Sequence, residues 1–341
     1  MNLLSAAYAT VARARRRHYE RCPERQRRLR QPVISVGNLS VGGSGKTPAV
    51  AHIARLLLGA GERPAILTRG YRRRRPTDGV LVVSDGRHIL ADLSRAGDEP
   101  LMLARALPGV AVLVGADRHL SGLLAERRLG CSVHLLDDGF QHVRLHRDVD
   151  IVLVAPEDLH DRVLPAGRLR EGREALSRAD AIVMTPGPPD SGPADLQAIA
   201  PSAGRSVVFH ARTSVGSAAA GKVLAVAGIA RPRRFFDLLA ASGWVVAGTM
   251  AFPDHHWYSR ADLDRIAAAA AASAAHAVVT TDKDLVRLLP FRPFPLPVVA
   301  APLEFVIEPA AQFRAWLTEH LAAARSAASR GDGRVAAEQP A

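Results

Sequence analysis

The feature that most constrains this 341-residue chain is a glycine-rich turn that follows a short apolar segment. Residues 32–36 (PVISV) predict a buried strand, and residues 40–47 (SVGGSGKT) lie just before a helix-like stretch that begins at Pro48. In such a strand–turn–helix unit, successive backbone N–H groups and the positive end of the helix surround a phosphate. A turn that merely ends in Lys-Thr is the alternative. The strand before it and the helix after it favour a phosphate-binding P-loop, although Ser40 replaces the usual first glycine.

The residues of this loop are expected to bind a nucleoside triphosphate together with Mg²⁺. The predicted phosphate-binding positions are Ser40, Val41, Gly42, Gly43, Ser44, Gly45, Lys46 and Thr47. The ammonium group of Lys46 would reach the β- and γ-phosphates, and the hydroxyl of Thr47 would bind the metal.

A second predicted strand supports the nucleotide site. Residues 133–138 (VHLLDD) predict a buried strand that ends in Asp137 and Asp138. A carboxylate in this position holds Mg²⁺ in P-loop enzymes. A strand-terminal Asp is also a common helix cap. The pattern therefore indicates a metal site only in combination with the glycine-rich loop upstream. The sequence leaves open which of the two carboxylates contacts the metal.

Predicted strands and helices alternate along most of the chain, which is typical of a parallel sheet covered by helices. The first set of strands is 33–36, 65–68, 111–114, 133–136, 151–154 and 181–184, with helices at 49–58, 99–106, 118–129 and 173–179. The second set is 207–211, 223–227, 245–248, 277–281 and 298–301, with helices at 232–242, 260–275 and 309–324. These patterns predict a doubly wound, mainly parallel α/β domain of the P-loop NTPase type over residues 31–205, with the nucleotide at the carboxyl ends of its strands. A smaller α/β domain over 206–325 and a disordered tail over 326–341 would follow.

The first 30 residues form a separate, basic segment. Residues 1–11 are largely apolar, and the arginine-rich stretch follows them, which is the reverse of the order in a signal peptide. This order predicts an amphipathic helix on an anionic membrane surface. An arginine-rich helix packed on the folded domain is the alternative.

Several polar clusters follow the predicted strands, and together they resemble the tetraacyldisaccharide 4′-kinase family of Gram-negative bacteria. The matching motifs are 36–48 (VGNLSVGGSGKTP), 69–71 (RGY), 97–100 (GDEP), 137–142 (DDGFQH), 164–167 (LPAG) and 252–256 (FPDHH). The resemblance extends over residues 1–321, and Ser40 is itself part of the family's pattern. The N-terminal segment is shorter and richer in arginine than the apolar helix usual in the family.

The resemblance implies transfer of the γ-phosphoryl group of ATP to the 4′-hydroxyl of an acylated glucosamine disaccharide-1-phosphate in lipid A biosynthesis. It also implies a site between the two domains, and a peripheral location at the cytoplasmic face of the bacterial inner membrane. The expected partners are this lipid and an anionic membrane surface, with no nucleic acid and no obligate protein partner.

Phosphoryl transfer to a hydroxyl requires that the two reactants be positioned, that the charge on the transferred group be neutralised, and that a base lie near the hydroxyl. Asp98 is the candidate base, and the resemblance makes His255 its partner, with His256 as the alternative. Glu99 is a candidate for the outer ligand shell of Mg²⁺. The candidate substrate-binding residues are Arg69, Tyr71, Arg118, Gln141, Arg168 and Arg170.

Three other functions are alternatives for a chain of this composition and fold class. A metallochaperone GTPase would need Cys/His ligand clusters, but Cys22 and Cys131 are far apart, and residues 281–284 (TDKD) lack the order of a guanine-reading segment. An ATP-dependent ligase on the same fold is a second alternative. A nucleic-acid-binding protein would account for the net charge of +12, but the basic residues lack interleaved aromatic residues.

Overall fold

The computed structural model describes residues 3–42, 45–71, 73–187, 202–216 and 221–337. The strands are β1 (Val33–Asn38), β2 (Pro64–Thr68), β3 (Val80–Asp85), β4 (Ala111–Gly115), β5 (Val133–Asp137), β6 (Val149–Val154), β7 (Ala181–Met184), β8 (Val207–Val215), β9 (Lys222–Ala227), β10 (Val245–Ala251), β11 (Ala277–Thr280), β12 (Val298–Ala300) and β13 (Leu303–Glu308). The α-helices are α1 (Leu3–Arg21), α2 (Lys46–Gly59), α3 (Leu93–Ala96), α4 (Asp98–Ala106), α5 (Arg118–Leu129), α6 (Pro232–Ala241), α7 (Arg260–Ala272), α8 (Asp282–Leu288) and α9 (Ala310–Ala337). The helix predicted at 173–179 is a 3₁₀ helix, Arg173–Arg178.

A nine-stranded sheet forms the larger unit, in the order β13-β8-β7-β6-β1-β5-β2-β4-β3. The strands from β8 to β4 in this order run parallel, whereas β13 and β3 pair antiparallel at the two edges. Every residue of β1, β5 and β6 is buried, as expected for strands covered by helices on both faces. The glycine-rich loop follows the central strand β1 and therefore lies at the carboxyl edge of the sheet. The predicted doubly wound P-loop-type fold is confirmed.

A second, four-stranded parallel sheet has the order β10-β9-β11-β12 and packs against α6 and α7. It is inserted between β8 and β13, because the chain leaves the large sheet after Val215 and rejoins it at Leu303. The division predicted at residue 205 is therefore displaced: β8 pairs with β7 and belongs to the large sheet. Local sequence patterns identify a strand but not the edge with which it pairs.

The C-terminal helix α9 also belongs to the larger unit. Its side chains Phe313, Trp316 and Leu317 lie in the same hydrophobic core as Ile34 of β1. The helix extends to Ala337, so the prediction of a disordered tail from residue 326 is wrong for residues 326–337. The alanine and arginine that make this stretch look featureless are also strong helix formers. Residues 338–341 lie outside the described part of the chain.

The N-terminal helix α1 packs on the larger unit through one face. Arg16 is buried, donates to Glu171 at 2.6 Å and to the Phe140 carbonyl at 2.8 Å, and lies over the Phe140 ring. The alternative of a helix packed on the domain is therefore correct for this face. On the opposite face, the side chains of Leu3 and Val11 are 87% and 69% exposed. None of the described helices is both long enough and apolar enough to cross a bilayer.

Candidate active site

The glycine-rich loop joins β1 to α2, and its backbone geometry depends on glycine. Gly42 and Gly45 have φ angles of 112° and 80°, in the left-handed region that strongly favours glycine. The start of the loop is anchored where the Val41 N–H donates to the Arg168 carbonyl at 2.8 Å. Gly43 and Ser44, also predicted to bind phosphate, lie outside the described residues. The loop ends at the N-terminus of α2, where backbone N–H groups without helical partners favour an anion.

Lys46, the first residue of α2, reaches back across this loop. Its Nζ lies 2.8 Å from Asn38 Oδ1 at the end of β1 and 3.6 Å from Asp138 Oδ1. Burial lowers the pKa of Lys46 below its ordinary value. Thr47 follows it, buried in the first helical turn. Ser40, also buried, accepts a hydrogen bond from the Asn38 amide. Asn38, Ser40 and Lys46 thus lie together at the carboxyl end of β1.

The two carboxylates at the end of β5 have different surroundings. Burial, together with the charges of Glu99 and Asp138, raises the pKa of Asp137 to about 6. Among the described residues, the only hydrogen-bond partner of its carboxylate is Thr68, at 3.2 Å. Asp138 has a φ of 57° and accepts two hydrogen bonds from Arg170, at 2.7 and 2.9 Å. Burial raises the pKa of Asp138, but Arg170 and Lys46 outweigh this effect and leave it below the ordinary value.

These acidic groups fit a magnesium ion that is shared with phosphate. Asp137 lies where neighbouring negative charge disfavours its own ionisation, and a divalent cation relieves that repulsion. The described residues contain no group of three His, Cys, Asp or Glu that could hold a metal ion alone. Mg²⁺ usually keeps several waters and binds through one or two carboxylates plus phosphate oxygens. The site accordingly fits Mg²⁺ that arrives with a nucleotide.

A carboxylate–histidine pair lies at the N-terminus of α4. The Asp98 side chain is 8% exposed, and its Oδ2 lies 2.8 Å from His255 Nδ1, in the loop after β10. Arg287 of α8 donates to the same oxygen, with its Nε at 2.9 Å. Burial raises the pKa of Asp98, but the His255 hydrogen bond and the Arg287 charge outweigh it and hold that pKa well below its usual range. His256 instead pairs with Asp262, at 3.0 Å.

Glu99 lies next to Asp98 and connects this pair to the phosphate loop. Its carboxylate forms an ion pair with Lys283 of α8. The negative charge of Glu99 also acts on both Asp137 and Lys46. The base candidate and the nucleotide candidates therefore lie at the same edge of the large sheet.

The residues predicted to bind substrate are placed differently from one another. Arg170 pairs with Asp138 and also donates to Asn38 Oδ1 at 2.6 Å. The Gln141 amide donates to the Asn38 carbonyl at 3.0 Å. Arg118 is buried and donates to the Gly115 carbonyl at 2.7 Å, and burial lowers its pKa to about 10.

The remaining three lie towards the surface. Arg69 is exposed, Tyr71 is 65% exposed with its ring 6.3 Å from that of His255, and Arg168 pairs with Asp161 at 2.8 Å. Of the six, Tyr71 is the one whose side chain lies beside the Asp98–His255 pair among the described contacts.

Three residues at this site were not predicted from the sequence: Asn38, Lys283 and Arg287. Asn38 accepts from both Lys46 and Arg170, and the other two are cations that pair with Glu99 and Asp98. For Lys283, the available signal was the polar run at residues 280–284 (TTDKD), which stands at the end of the predicted strand 277–281. Nothing local indicates that it would lie against α4.

A glycine-rich loop on a central parallel strand, a lysine that opens the next helix, and carboxylates at the adjacent strand end define a P-loop nucleotide-binding protein. More narrowly, the chain belongs to the tetraacyldisaccharide 4′-kinase family. It matches the family described as tetraacyldisaccharide-1-P 4'-kinase over residues 1–322.

Individual relatives agree with this assignment. The chain is 43% identical over 300 residues to the tetraacyldisaccharide 4'-kinase of Geobacter metallireducens, covering 84% of this chain and 88% of the relative. It is 41% identical over 313 residues to that of Geobacter sulfurreducens, covering 88% and 87%. The crystal structure of an "apo" form of LpxK from Aquifex aeolicus in complex with ATP is similar at a TM-score of 0.75 and 32% identity. That match covers 93% of this chain and 97% of that chain. The metallochaperone, ligase and nucleic-acid alternatives are not favoured.

Proposed function

We propose that this chain transfers the γ-phosphoryl group of ATP to the 4′-hydroxyl of a tetraacyl glucosamine disaccharide-1-phosphate, a step of lipid A biosynthesis. The observation that supports it best is the joining of two half-sites at one sheet edge. Lys46 and Asp137 form the nucleotide side, the Asp98–His255 pair forms the acceptor side, and the charge of Glu99 acts on both Lys46 and Asp137. A kinase needs these halves next to each other, because phosphoryl transfer depends on alignment and charge neutralisation.

On the nucleotide side, the loop amides and Lys46 hold the triphosphate. Mg²⁺, when bound, neutralises charge on the β- and γ-phosphates. Thr47 and Asp137 would hold it, with Asp138 and Glu99 in the outer shell, since Asp138 is already paired with Arg170. Asp137 has no such cation partner among the described ion pairs. Arg118 and Arg170 add positive charge around the phosphates.

On the acceptor side, Asp98 accepts the proton of the attacking hydroxyl, and His255 holds the carboxylate in place. Because its pKa is held well below the usual range, Asp98 stays ionised throughout the neutral pH range. Any limb in the pH–rate profile that is due to Asp98 should therefore lie below about pH 4. Tyr71 and Arg69 flank this side and are proposed to contact the sugar. Arg168 is proposed to face the 1-phosphate of the acceptor.

The test is a transfer assay with ATP, Mg²⁺ and a detergent-dispersed disaccharide-1-phosphate, which measures the bisphosphorylated product. Lys46→Ala should abolish transfer with the fold intact, whereas Lys222→Ala, at an exposed lysine of β9, should not change it. Asp98→Asn or His255→Asn should lower kcat on the order of 10²–10⁴-fold, the usual contribution of a general base. His256→Asn is the matched control, because His256 pairs with Asp262.

The outcome of the double variant decides whether Asp98 and His255 act together. Residues that act as one unit lose little more when both are removed, so the double variant should resemble the worse single variant. A rise in KM for the acceptor with kcat preserved would instead make both of them substrate-binding residues. Near-normal turnover by Lys46→Ala would contradict the kinase mechanism.

We further propose that α1 holds the protein peripherally on an anionic membrane surface, at the cytoplasmic face of the bacterial inner membrane. The face of α1 away from the core exposes Leu3 and Val11, and the exposed positions of its later turns include Arg15 and Arg17. An apolar face with basic residues at its border suits the interface of an anionic bilayer.

Vesicle sedimentation tests this contact. Leu3→Glu with Val11→Glu should weaken binding to vesicles that contain anionic lipid, and added salt should weaken binding of the parent protein, because exposed charges are screened. Leu120→Glu, at a 47% exposed leucine of α5, is the control and should bind like the parent. Equal binding by the α1 double variant would contradict the proposal.

A further inference from the structure

Arg287 of α8 is a buried arginine that contacts the candidate base. Its side chain is 1% exposed. Its Nε donates to Asp98 Oδ2 at 2.9 Å, and its Nη2 donates to the same oxygen. Its Nη1 donates to the Gly228 carbonyl at 2.8 Å and to Asp284 Oδ1 at 3.0 Å. The guanidinium therefore bridges the smaller unit, which supplies Gly228 and Asp284, and the larger unit, which supplies Asp98.

The smaller unit holds this guanidinium rigidly. Asp284 is fully buried, and besides Arg287 it accepts hydrogen bonds from the Gly228 N–H (3.0 Å), the Tyr258 hydroxyl (2.9 Å) and the Thr281 hydroxyl (2.7 Å). A Cβ at Gly228 would lie 2.9 Å from Asp284 Oδ1, so the network also requires glycine there. A planar guanidinium fixed at one side presents its remaining N–H groups in a defined direction.

The two oxygens of Asp98 are consequently not equivalent. Oδ2 accepts from His255 Nδ1 and from both Nε and Nη2 of Arg287. Oδ1 accepts only from the Glu99 N–H of its own helix, at 2.9 Å, among the described contacts. A carboxylate oxygen offers about two lone-pair sites, so Oδ2 is saturated and Oδ1 retains accepting capacity.

One helical turn before Arg287, Lys283 pairs with Glu99, the residue after Asp98. Residues four apart lie on the same face of a helix, so α8 presents two cations to two consecutive carboxylates of α4. Val286, between them in sequence, lies in the hydrophobic core of the larger unit. The register of α8 against α4 is thereby fixed by both charge and packing.

We propose that Arg287 is a positioning residue for the transfer reaction: held by Asp284 and Gly228, it orients the Asp98 carboxylate through Oδ2 and leaves Oδ1 to receive the proton of the acceptor hydroxyl. In that step the O–H bond of the acceptor breaks and its proton passes to Oδ1. The acceptor oxygen forms a bond to the γ-phosphorus, and the bond from that phosphorus to the bridging oxygen breaks, with its electron pair leaving on ADP. The inference rests on the proposed role of Asp98.

Transfer kinetics of Arg287→Ala and Arg287→Lys test the proposal. Arg287→Ala should lower kcat on the order of 10²-fold, as misplacement of a reacting group does, with the KM for ATP unchanged. Arg287→Lys keeps the positive charge but lacks the paired N–H donors of the guanidinium. Its kcat should therefore lie between those of Arg287→Ala and the parent protein. Added ethylguanidinium should restore turnover to Arg287→Ala but not to Asp98→Asn. The control is Arg147→Ala, which removes an arginine with a 9% exposed side chain that pairs with Asp150 at 2.7 and 2.9 Å. Ethylguanidinium should not alter the turnover of this variant.

A double-mutant cycle separates positioning from a general loss of packing. In an Asp98→Asn background, Arg287→Ala should cause little further loss, because the group that it orients is already inactive. Multiplicative losses would overturn the proposal. If Arg287→Ala does not fold, wild-type kcat in Arg287→Lys would overturn it equally. Failure of the proposed function is distinct: Asp98→Asn alone would then retain kcat.

Discussion

At the scale of single residues, Asp137 and Asp138 are adjacent in sequence, but their pKa values are shifted in opposite directions. Asp138 faces Arg170 and Lys46 and ionises readily, whereas Asp137 is buried near the charges of Glu99 and Asp138. A raised pKa in the folded state means that ionised Asp137 destabilises the fold until a cation binds. In the metal-free protein, the ionised Asp137 should therefore lower the free energy of unfolding.

Asp137→Asn should accordingly stabilise the protein in the absence of Mg²⁺. With a pKa of about 6 when folded against an ordinary value of 3.8, Asp137 contributes a penalty that grows as pH rises between these values and is complete above about pH 6. Urea unfolding at pH 7.5 with a chelator should show a gain on the order of 1–3 kcal/mol, which disappears below about pH 4. Asp138→Asn is the control and should lower stability at pH 7.5. A less stable Asp137→Asn protein would contradict this electrostatic description.

At the scale of elements, the nucleotide loop depends on how closely β1 approaches the segment after β5. A Cβ at Gly37 would lie 2.6 Å from the Phe140 Cβ and 2.8 Å from the Phe140 backbone nitrogen. The Phe140 ring is fully buried, and Arg16 lies over it. There is thus no direction in which this contact can relax without moving β1, the segment after β5 or α1.

Gly37→Ala should therefore destabilise the fold by about 1–3 kcal/mol, the usual effect of overpacking. Gly59→Ala is the matched control, because Gly59 lies in the last turn of α2 and a Cβ there would have no atom within 4 Å. It should be neutral or stabilising by up to about 1 kcal/mol, since alanine is the better helix former. Equal urea midpoints for the two variants would show that β1 can move away from Phe140.

The elements nearest the loop were predictable because their patterns are local. Buried apolar runs identified β1 and β5, and the residues at their ends indicated the candidate nucleotide site. The pairing of β8 with β7 and the position of β13 were not predictable, since sheet edges are chosen by long-range packing. The same applies to Arg287 and Asn38: an arginine in a seven-residue helix and an asparagine at a strand end acquire their roles only through contacts across the fold.

At the scale of the whole molecule, the two sheets are joined by more than their covalent connections. Val286 and Trp257 of the smaller unit pack in or against the core of the larger one, and Arg287 and Lys283 pair across to α4. Removing one partner of a buried ion pair is strongly destabilising, so loss of either Arg287 or Asp98 would leave the other charge without its partner across the two units.

Unfolding of the two units should consequently be cooperative. Trp244 is buried in the smaller unit and Trp316 in the larger one. With Trp257 also replaced, variants that retain Trp244 or Trp316 alone should each give the same urea midpoint by fluorescence and by circular dichroism, which is the test of a two-state transition. The reference is the same two variants with Val286→Ala added. Loss of this contact should lower both urea midpoints by the same amount. Two separate midpoints in the parent background would mean that the units unfold independently.

The insertion of the smaller sheet between β8 and β13 has a consequence for the protein during its synthesis. A chain emerging from the ribosome presents the glycine-rich loop, the β5 carboxylates and Asp98 long before Arg287 has been translated. Domains generally fold from the N-terminus as they emerge, so a nascent chain can assemble most of the large sheet with Asp98 still lacking His255 and Arg287. Strand β13 and helix α9 then cover the β8 edge last. The candidate phosphate-binding loop is thus made first, and the residues that contact Asp98 from the smaller unit are added much later.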